Sequence, residues 1–251
     1  MTPGRLIPAL IAATLLVCAG AARAADLTVA FSIAKPPFVF QTQAGPPAPG
    51  DQPGGVELDI MAAALAAKGH RFTPTYVTYG ELTGEVTSGR ADAAATVRPE
   101  NPALHYSDEF VRFHNFAIMG PGVPAPAAVA DLSARRMVAW QGATKDLGAA
   151  FAAVAAKAPG YAEMGDQKEQ VRAFLEGRFD TLIIDGTIFR YWARVMGRKA
   201  DDFRFHALFG SSTAFTVGFA NKDLRDDFNT GLRALKAQGA YDALFRKYLA
   251  D

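Results

Sequence analysis

The sequence predicts an α/β protein of two lobes, each a mostly parallel sheet flanked by helices. Three observations predict it. Apolar runs of strand length alternate with segments of helical period, and this order of elements occurs twice along the chain. A Gly- and Pro-rich stretch at 120–126 separates the two series. The 227 residues left from the 251 after removal of a 24-residue leader suffice for two units of about 100 residues.

The leader comes first. Arg5 is the single cation before an apolar run over 6–20, and Ala22, Arg23 and Ala24 carry the small residues a signal peptidase requires. Cleavage after Ala24 is therefore expected, with a mature start at Ala25 and export to the periplasm. The alternatives are less well matched. The run is shorter than the roughly 20 residues of a membrane anchor, and Cys18 follows Val17, which is not the small residue lipoprotein processing requires. Cys18 is the only cysteine, so the mature chain needs neither a disulfide nor a thiolate. Taking Arg5 and Arg23 from the 26 Lys and Arg leaves 24 against 25 Asp and Glu. Such near-neutrality gives no basic field for nucleic acid and no cationic amphipathic stretch for a membrane.

The elements follow in order. Residues 27–33 read as a buried strand ended by Pro36 and Pro37, and 41–55 as an exposed Pro-, Gly- and Gln-rich loop. Residues 56–68 place Leu58, Ile60, Met61 and Leu65 at helical spacing before Gly69. A strand at 72–77, a helix at 81–88 and a strand at 91–97 complete a series with right-handed crossovers. After an apolar stretch at 110–119, strands are expected at 136–140, 181–184, 203–208 and 213–220. Helices are expected at 145–156, 167–176, 188–196, 224–237 and 241–248.

Seven fragments occur in one order: Lys-Pro-Pro-Phe at 35–38, Gly-Val-Glu-Leu-Asp-Ile at 55–60, Ser-Gly-Arg-Ala-Asp-Ala at 88–93, Tyr-Ser-Asp at 106–108, Gln-Gly-Ala-Thr at 141–144, Glu-Gly-Arg-Phe-Asp at 176–180 with Asp185, and Leu-Lys-Ala-Gln-Gly-Ala-Tyr at 235–241. Together they resemble the family 3 extracellular solute-binding proteins that serve ABC importers of polar amino acids, over about 27–249. The resemblance implies a type II periplasmic-binding-protein clamshell. Lobe one would comprise 25–115 plus 212–251 and lobe two 116–211. It also implies a monomer that closes on a small polar solute and delivers it to an ABC permease in the inner membrane, with no cofactor or metal.

A zwitterion needs donors for its carboxylate, an anion for its ammonium and a shaped wall. Asp185 ends an apolar strand, where open α/β sheets bind ligands, and the resemblance places it at the ammonium; the alternative is an N-cap of the next helix. Gly142, Ala143 and Thr144 open a helix after a strand, so their N–H groups and the Thr144 hydroxyl suit a carboxylate, with capping as the alternative. Arg98 is the expected bidentate clamp, against a surface or structural salt bridge. The family's clamp position, counted back from Tyr106, holds Glu100; a Glu100 facing the cleft would imply a cationic ligand or one without an α-carboxylate. Phe38 and Tyr79 match the ligand-sandwiching rings, with core packing as the alternative, and Thr96 is expected to add a hydroxyl or backbone contact.

Two other classes stand beside solute binding. One is a dehydratase of the same fold, of cyclohexadienyl dehydratase type, which needs a general acid beside its substrate's carboxylates; Asp185 is followed by Gly186, Thr187 and Ile188, with no second acid. The other is an accessory or sensory module for a separate dehydrogenase or receptor. His70, His105, His114 and His206 show no metal-ligand spacing, and no nucleophile elbow, P-loop or dinucleotide fingerprint occurs.

Overall fold

The computed structural model describes residues 24–41, 43–45, 54–210 and 212–249. The expected leader, Ala24 excepted, and most of the 41–55 loop lie outside the described residues. The first series runs β1 (Asp26–Ser32), α1 (Val56–Ala66), β2 (Arg71–Val77), α2 (Leu82–Thr87), β3 (Ala93–Val97), β4 (His105–Tyr106) and β5 (Val111–Phe113). The second runs β6 (Asn115–Met119), β7 (Arg136–Trp140), α3 (Ala143–Asp146), α4 (Ala149–Ala155), β8 (Gly160–Met164), α5 (Gln167–Leu175), β9 (Thr181–Asp185), α6 (Gly186–Val195) and β10 (Arg204–His206). The chain returns through β11 (Thr213–Phe219), α7 (Lys222–Ala237) and α8 (Ala240–Leu249).

Two sheets result. The first has the order β2-β1-β3-β11-β4, with β5 also on β11; the second is β10-β6-β9-β7-β8. Each has a parallel heart, β2-β1-β3 and β9-β7-β8, because helical crossovers join those strands. Each gains antiparallel strands where the chain passes between sheets: β11 against β3, β4 and β5, and β6 against β9 and β10. The central strand β1 buries Val29, Ala30 and Phe31 completely, as a parallel strand covered on both faces must. Helices α7 and α8 pack on α1, so the C-terminal segment belongs with the first sheet. We call that unit lobe one and the unit on the second sheet lobe two.

Several expectations change. The Gly- and Pro-rich stretch at 120–126 does not mark the passage between units, because β6 precedes it and already pairs with β9. The helix expected at 145–156 divides into α3 and α4 at Gly148, whose φ of 83° lies in the left-handed region that favours glycine. Strand β8 (Gly160–Met164) has no clear alternation and escaped the sequence reading; its residues are half-buried at a sheet edge. His70, read as a surface or strand-edge residue, is 3% exposed; its Nδ1 accepts from the Ala25 N–H and its Nε2 lies 3.0 Å from Asp227 Oδ2.

Candidate functional site

A cavity of about 40 Å³ lies between the lobes. Its wall is made where parallel strands end: Ser32 closes β1, Trp140 closes β7, Met164 closes β8 and Asp185 closes β9. The carboxyl ends of the strands are the usual ligand position in open α/β sheets. Lys35, Tyr79, Thr96, Phe113 and Phe215 complete the wall from lobe one, Gln141, Gly165, Gln167 and Ile188 from lobe two, and Asn115 at the passage between them.

Lys35 is the cation of this wall. Its side chain is 4% exposed, and its Nζ donates to Glu57 Oε1 at 2.7 Å and to Thr96 Oγ1 at 3.0 Å. Glu57 is fully buried in the first turn of α1, where the helix dipole favours an anion. Burial pulls the Lys35 pKa down, and the Glu57 carboxylate pushes back toward the charged form. The Phe113 ring lies 5.6 Å from Nζ. Thr96 meets the ammonium because its backbone is left-handed, with φ 62°, where the register between β3 and β11 slips. Ala34, next to Lys35, is also left-handed at φ 57°, and its carbonyl accepts from Trp192 Nε1 of lobe two at 3.2 Å. Strained residues of this kind collect at functional sites.

Asp185 is 4% exposed. Its Oδ1 accepts from the Thr187 and Ile188 N–H groups, capping α6, and its Oδ2 accepts from the His114 N–H at 2.8 Å. Burial pushes its carboxyl pKa up, against the pull of those three donors. Capping and a cavity-facing position, alternatives in the sequence, are both present. Oδ1 has both lone pairs engaged and Oδ2 has one to spare.

The lobes touch through Tyr79. Its hydroxyl donates to Asp146 Oδ2 at 2.8 Å, an oxygen that also accepts from Trp140 Nε1 at 3.2 Å. The Gly80 N–H donates to Gln141 Oε1 at 3.1 Å, and Arg98 Nη1 donates to the Asp146 carbonyl at 3.3 Å. Glu100 forms an ion pair with Lys145. Arg98 and Glu100 thus line an outer groove with Gly142 and Lys145, which shares only Tyr79 with the cavity lining.

The anion-binding turn is already engaged. Gly142 has φ 91°, and a Cβ there would sit 3.0 Å from the Tyr79 ring, so a side chain at this position is both strained and crowded. The N–H groups of Gly142 and Thr144 and the Thr144 hydroxyl all donate to the Glu163 carboxylate, at 2.6, 2.9 and 2.9 Å, and the Tyr161 hydroxyl adds a fourth bond at 2.7 Å. Burial would raise the Glu163 pKa, yet these donors hold it below the usual glutamate range.

With this geometry in view, the family profile of the bacterial extracellular solute-binding proteins, family 3, matches residues 27–251. The chain belongs to that family. No curated protein sequence matches it. Among solved structures, this family 3 protein is similar to an ancestral arginine-binding protein bound to arginine, with 18% identity, TM-score 0.74, and coverage of 90% of this chain and 98% of the other. It is similar to the amino acid ABC transporter substrate-binding protein AbpA from Streptococcus pneumoniae bound to L-arginine, with 17% identity, TM-score 0.72, and 89% and 94% coverage. It is also similar to an ancestral amino acid-binding protein described as a precursor of cyclohexadienyl dehydratase, with 19% identity, TM-score 0.71, and 89% and 95% coverage. These likenesses establish the two-lobed fold.

In this solute-binding protein, Tyr79, Thr96 and Asp185 come together on the cavity. Phe38 does not; it is 3% exposed and packs on Phe113 and Phe245, so its ring backs the wall that Phe113 forms. Arg98 and Gly142 face the outer groove, Ala143 is fully buried in the lobe-two core, and Thr144 is bound to Glu163. Sequence reasoning missed Lys35, Asn115, Gln141 and Glu163. A signal existed for Lys35, a charge set between an apolar strand and two prolines, and for Gln141, which begins a recognised fragment. Among the described residues no helix is long and apolar enough to cross a membrane, and no cluster of His, Cys, Asp and Glu could hold a metal.

Proposed function

We propose that the chain is the exported binding component of an ABC importer, which traps a small polar solute, an amino acid or a related carboxylate, by closing two hinged lobes. The observation that carries this reading is the cavity at the strand ends, walled by both lobes and shut by side chains that reach across. Lobe one would comprise 25–115 and 212–251 and lobe two 116–211. The hinge would be the two passages between the sheets, from β5 to β6 and from β10 to β11. Solute would enter on one lobe and gain its remaining contacts only on closure, which shifts the population toward the closed form. That form would present both lobes together to a separate permease in the inner membrane.

Asp185 would hold an ammonium through the spare lone pair of Oδ2, with its charge eased by the α6 N-terminus. Tyr79 and Thr96 would shape the site from lobe one. Phe38 would support its wall, Arg98 would join the closing contacts, and Gly142, Ala143 and Thr144 would fix the strand end that carries Gln141. Thermal-shift screening against amino acids, polyamines and small carboxylates tests the reading, since a tight ligand raises the melting point by mass action. Asp185→Asn keeps the α6 cap acceptor and removes the charge. We expect it to weaken binding of an amine-bearing ligand by about 2 to 5 kcal/mol in calorimetry; unchanged affinity removes Asp185 from the site.

A further inference from the structure

We infer that the ligand's carboxylate is held by Lys35, supported by the Thr96 hydroxyl, and not by Arg98 or the turn at 142–144. This rests on the solute-binding reading above and names the chemistry of that same site. The donors that the sequence offers for a carboxylate are committed elsewhere. Arg98 faces the outer groove and holds the Asp146 carbonyl across the lobes. The turn gives two N–H groups and a hydroxyl to Glu163, a carboxylate built into the chain, so a ligand anion would have to displace it.

Among the described residues that line the cavity, Lys35 is the one cation. Its ammonium has three donors, of which Glu57 and Thr96 take two. The Glu57 carboxylate favours the charged amine against the pull of burial but does not itself reach the cavity wall, so the wall presents the cationic end of the pair. Thr96 accepts from Lys35 through Oγ1 and keeps its own hydroxyl proton to donate. One ammonium N–H and one hydroxyl, both on nearly solvent-free side chains, are the donor pair a carboxylate requires. Asp185, also on the wall, supplies the acceptor for an ammonium, so the two ends select a zwitterion. The cavity's small volume of about 40 Å³ points to a compact one with a short side chain.

The test pairs each acid with its amide. Calorimetry is run with glycine, L-alanine, L-serine and L-arginine, and with glycinamide, L-alaninamide, L-serinamide and L-argininamide. The wild-type protein is compared with Arg98→Met and with the double variant Lys35→Met, Glu57→Gln, which removes both buried charges together. The wild type is expected to bind a small acid more tightly than its amide by roughly 30-fold or more. That preference should fall below about threefold in the double variant and survive in Arg98→Met. A preference that persists in the double variant, or disappears in Arg98→Met alone, overturns the Lys35 assignment while solute binding stands. Tighter binding of L-arginine than of L-alanine overturns the compact-ligand assignment. Failure of the wild type to bind any of the acids, or any compound in the thermal-shift screen, sinks the solute-binding reading itself. Should the double variant fail to fold, the Lys35 side-chain NMR resonance in the wild type decides. It is expected to shift with L-alanine and not with L-alaninamide, and equal response to both overturns the assignment.

Discussion

Replacing Tyr79 with Phe removes one oxygen and leaves the ring against Gly142 and Phe215. That oxygen donates to Asp146 across the lobes at 2.8 Å. Burial, and then the Asp146 anion, push the phenol pKa far above its ordinary value, so Tyr79 remains a donor throughout the working pH range. A hydrogen bond to a charged acceptor contributes about 1.5 to 3 kcal/mol. Trp140 Nε1 still donates to the same Asp146 oxygen in the variant, which argues for the lower half of that range. In the open form that the proposed hinge motion requires, both partners would face water, so the loss of about 1.5 to 2 kcal/mol would fall on closure alone. The closed-to-open ratio should drop about 10- to 30-fold, and affinity should weaken by up to that factor where the open form predominates. Fluorescence transfer between labels on the two lobes reads the ratio, and calorimetry reads the affinity. A Tyr79→Phe protein of normal melting temperature with unchanged closure and unchanged affinity would refute the view that this contact latches the lobes.

Two other perturbations follow from the packing and one from pH. Glu163→Gln puts an amide N–H₂ against a turn built of donors, and at pH 7 stability should fall by about 1 to 3 kcal/mol. Because the folded Glu163 pKa lies below its ordinary value near 4.5, its contribution is fully present above that value and lost as pH falls through the folded one. The melting-temperature gap between wild type and variant should therefore narrow below about pH 4.5, and a gap constant with pH counts against the Glu163 cap. Gly231→Ala places a Cβ 2.0 Å from the Ala64 carbonyl oxygen, so α1 and α7 must part. We expect a loss of about 3 kcal/mol, or roughly 6 to 12 °C in thermal unfolding, and an unchanged melt would contradict the helix contact. For an amine-bearing ligand, affinity should decline on acidification earlier than for an ordinary carboxylate, because the Asp185 carboxyl is raised and protonation removes the acceptor charge. A titration flat down to pH 4 would oppose that role.

The sequence by itself determined most of the elements in their order, β8 excepted, and the strand end that carries Asp185. Local pattern suffices for these, since Thr181, Leu182, Ile183 and Ile184 make an apolar, β-branched run of strand length and the Gly and Thr after Asp185 begin a helix. It also determined the family, because seven fragments in one order reflect a whole architecture. What a turn does was less legible: Gly-Ala-Thr at 142–144 looks equally open to a ligand or to a cap. The decision came from Glu163 on β8, the strand whose pattern gave no signal. The site itself was decided only by tertiary structure. Lys35 meets Glu57 and Thr96 across 22 and 61 residues of chain, and a left-handed Thr96 brings its hydroxyl to the ammonium. Periodicity reports which face of an element is buried; which charge ends up beside which depends on how two sheets and their crossovers pack, and that information is spread over the whole chain.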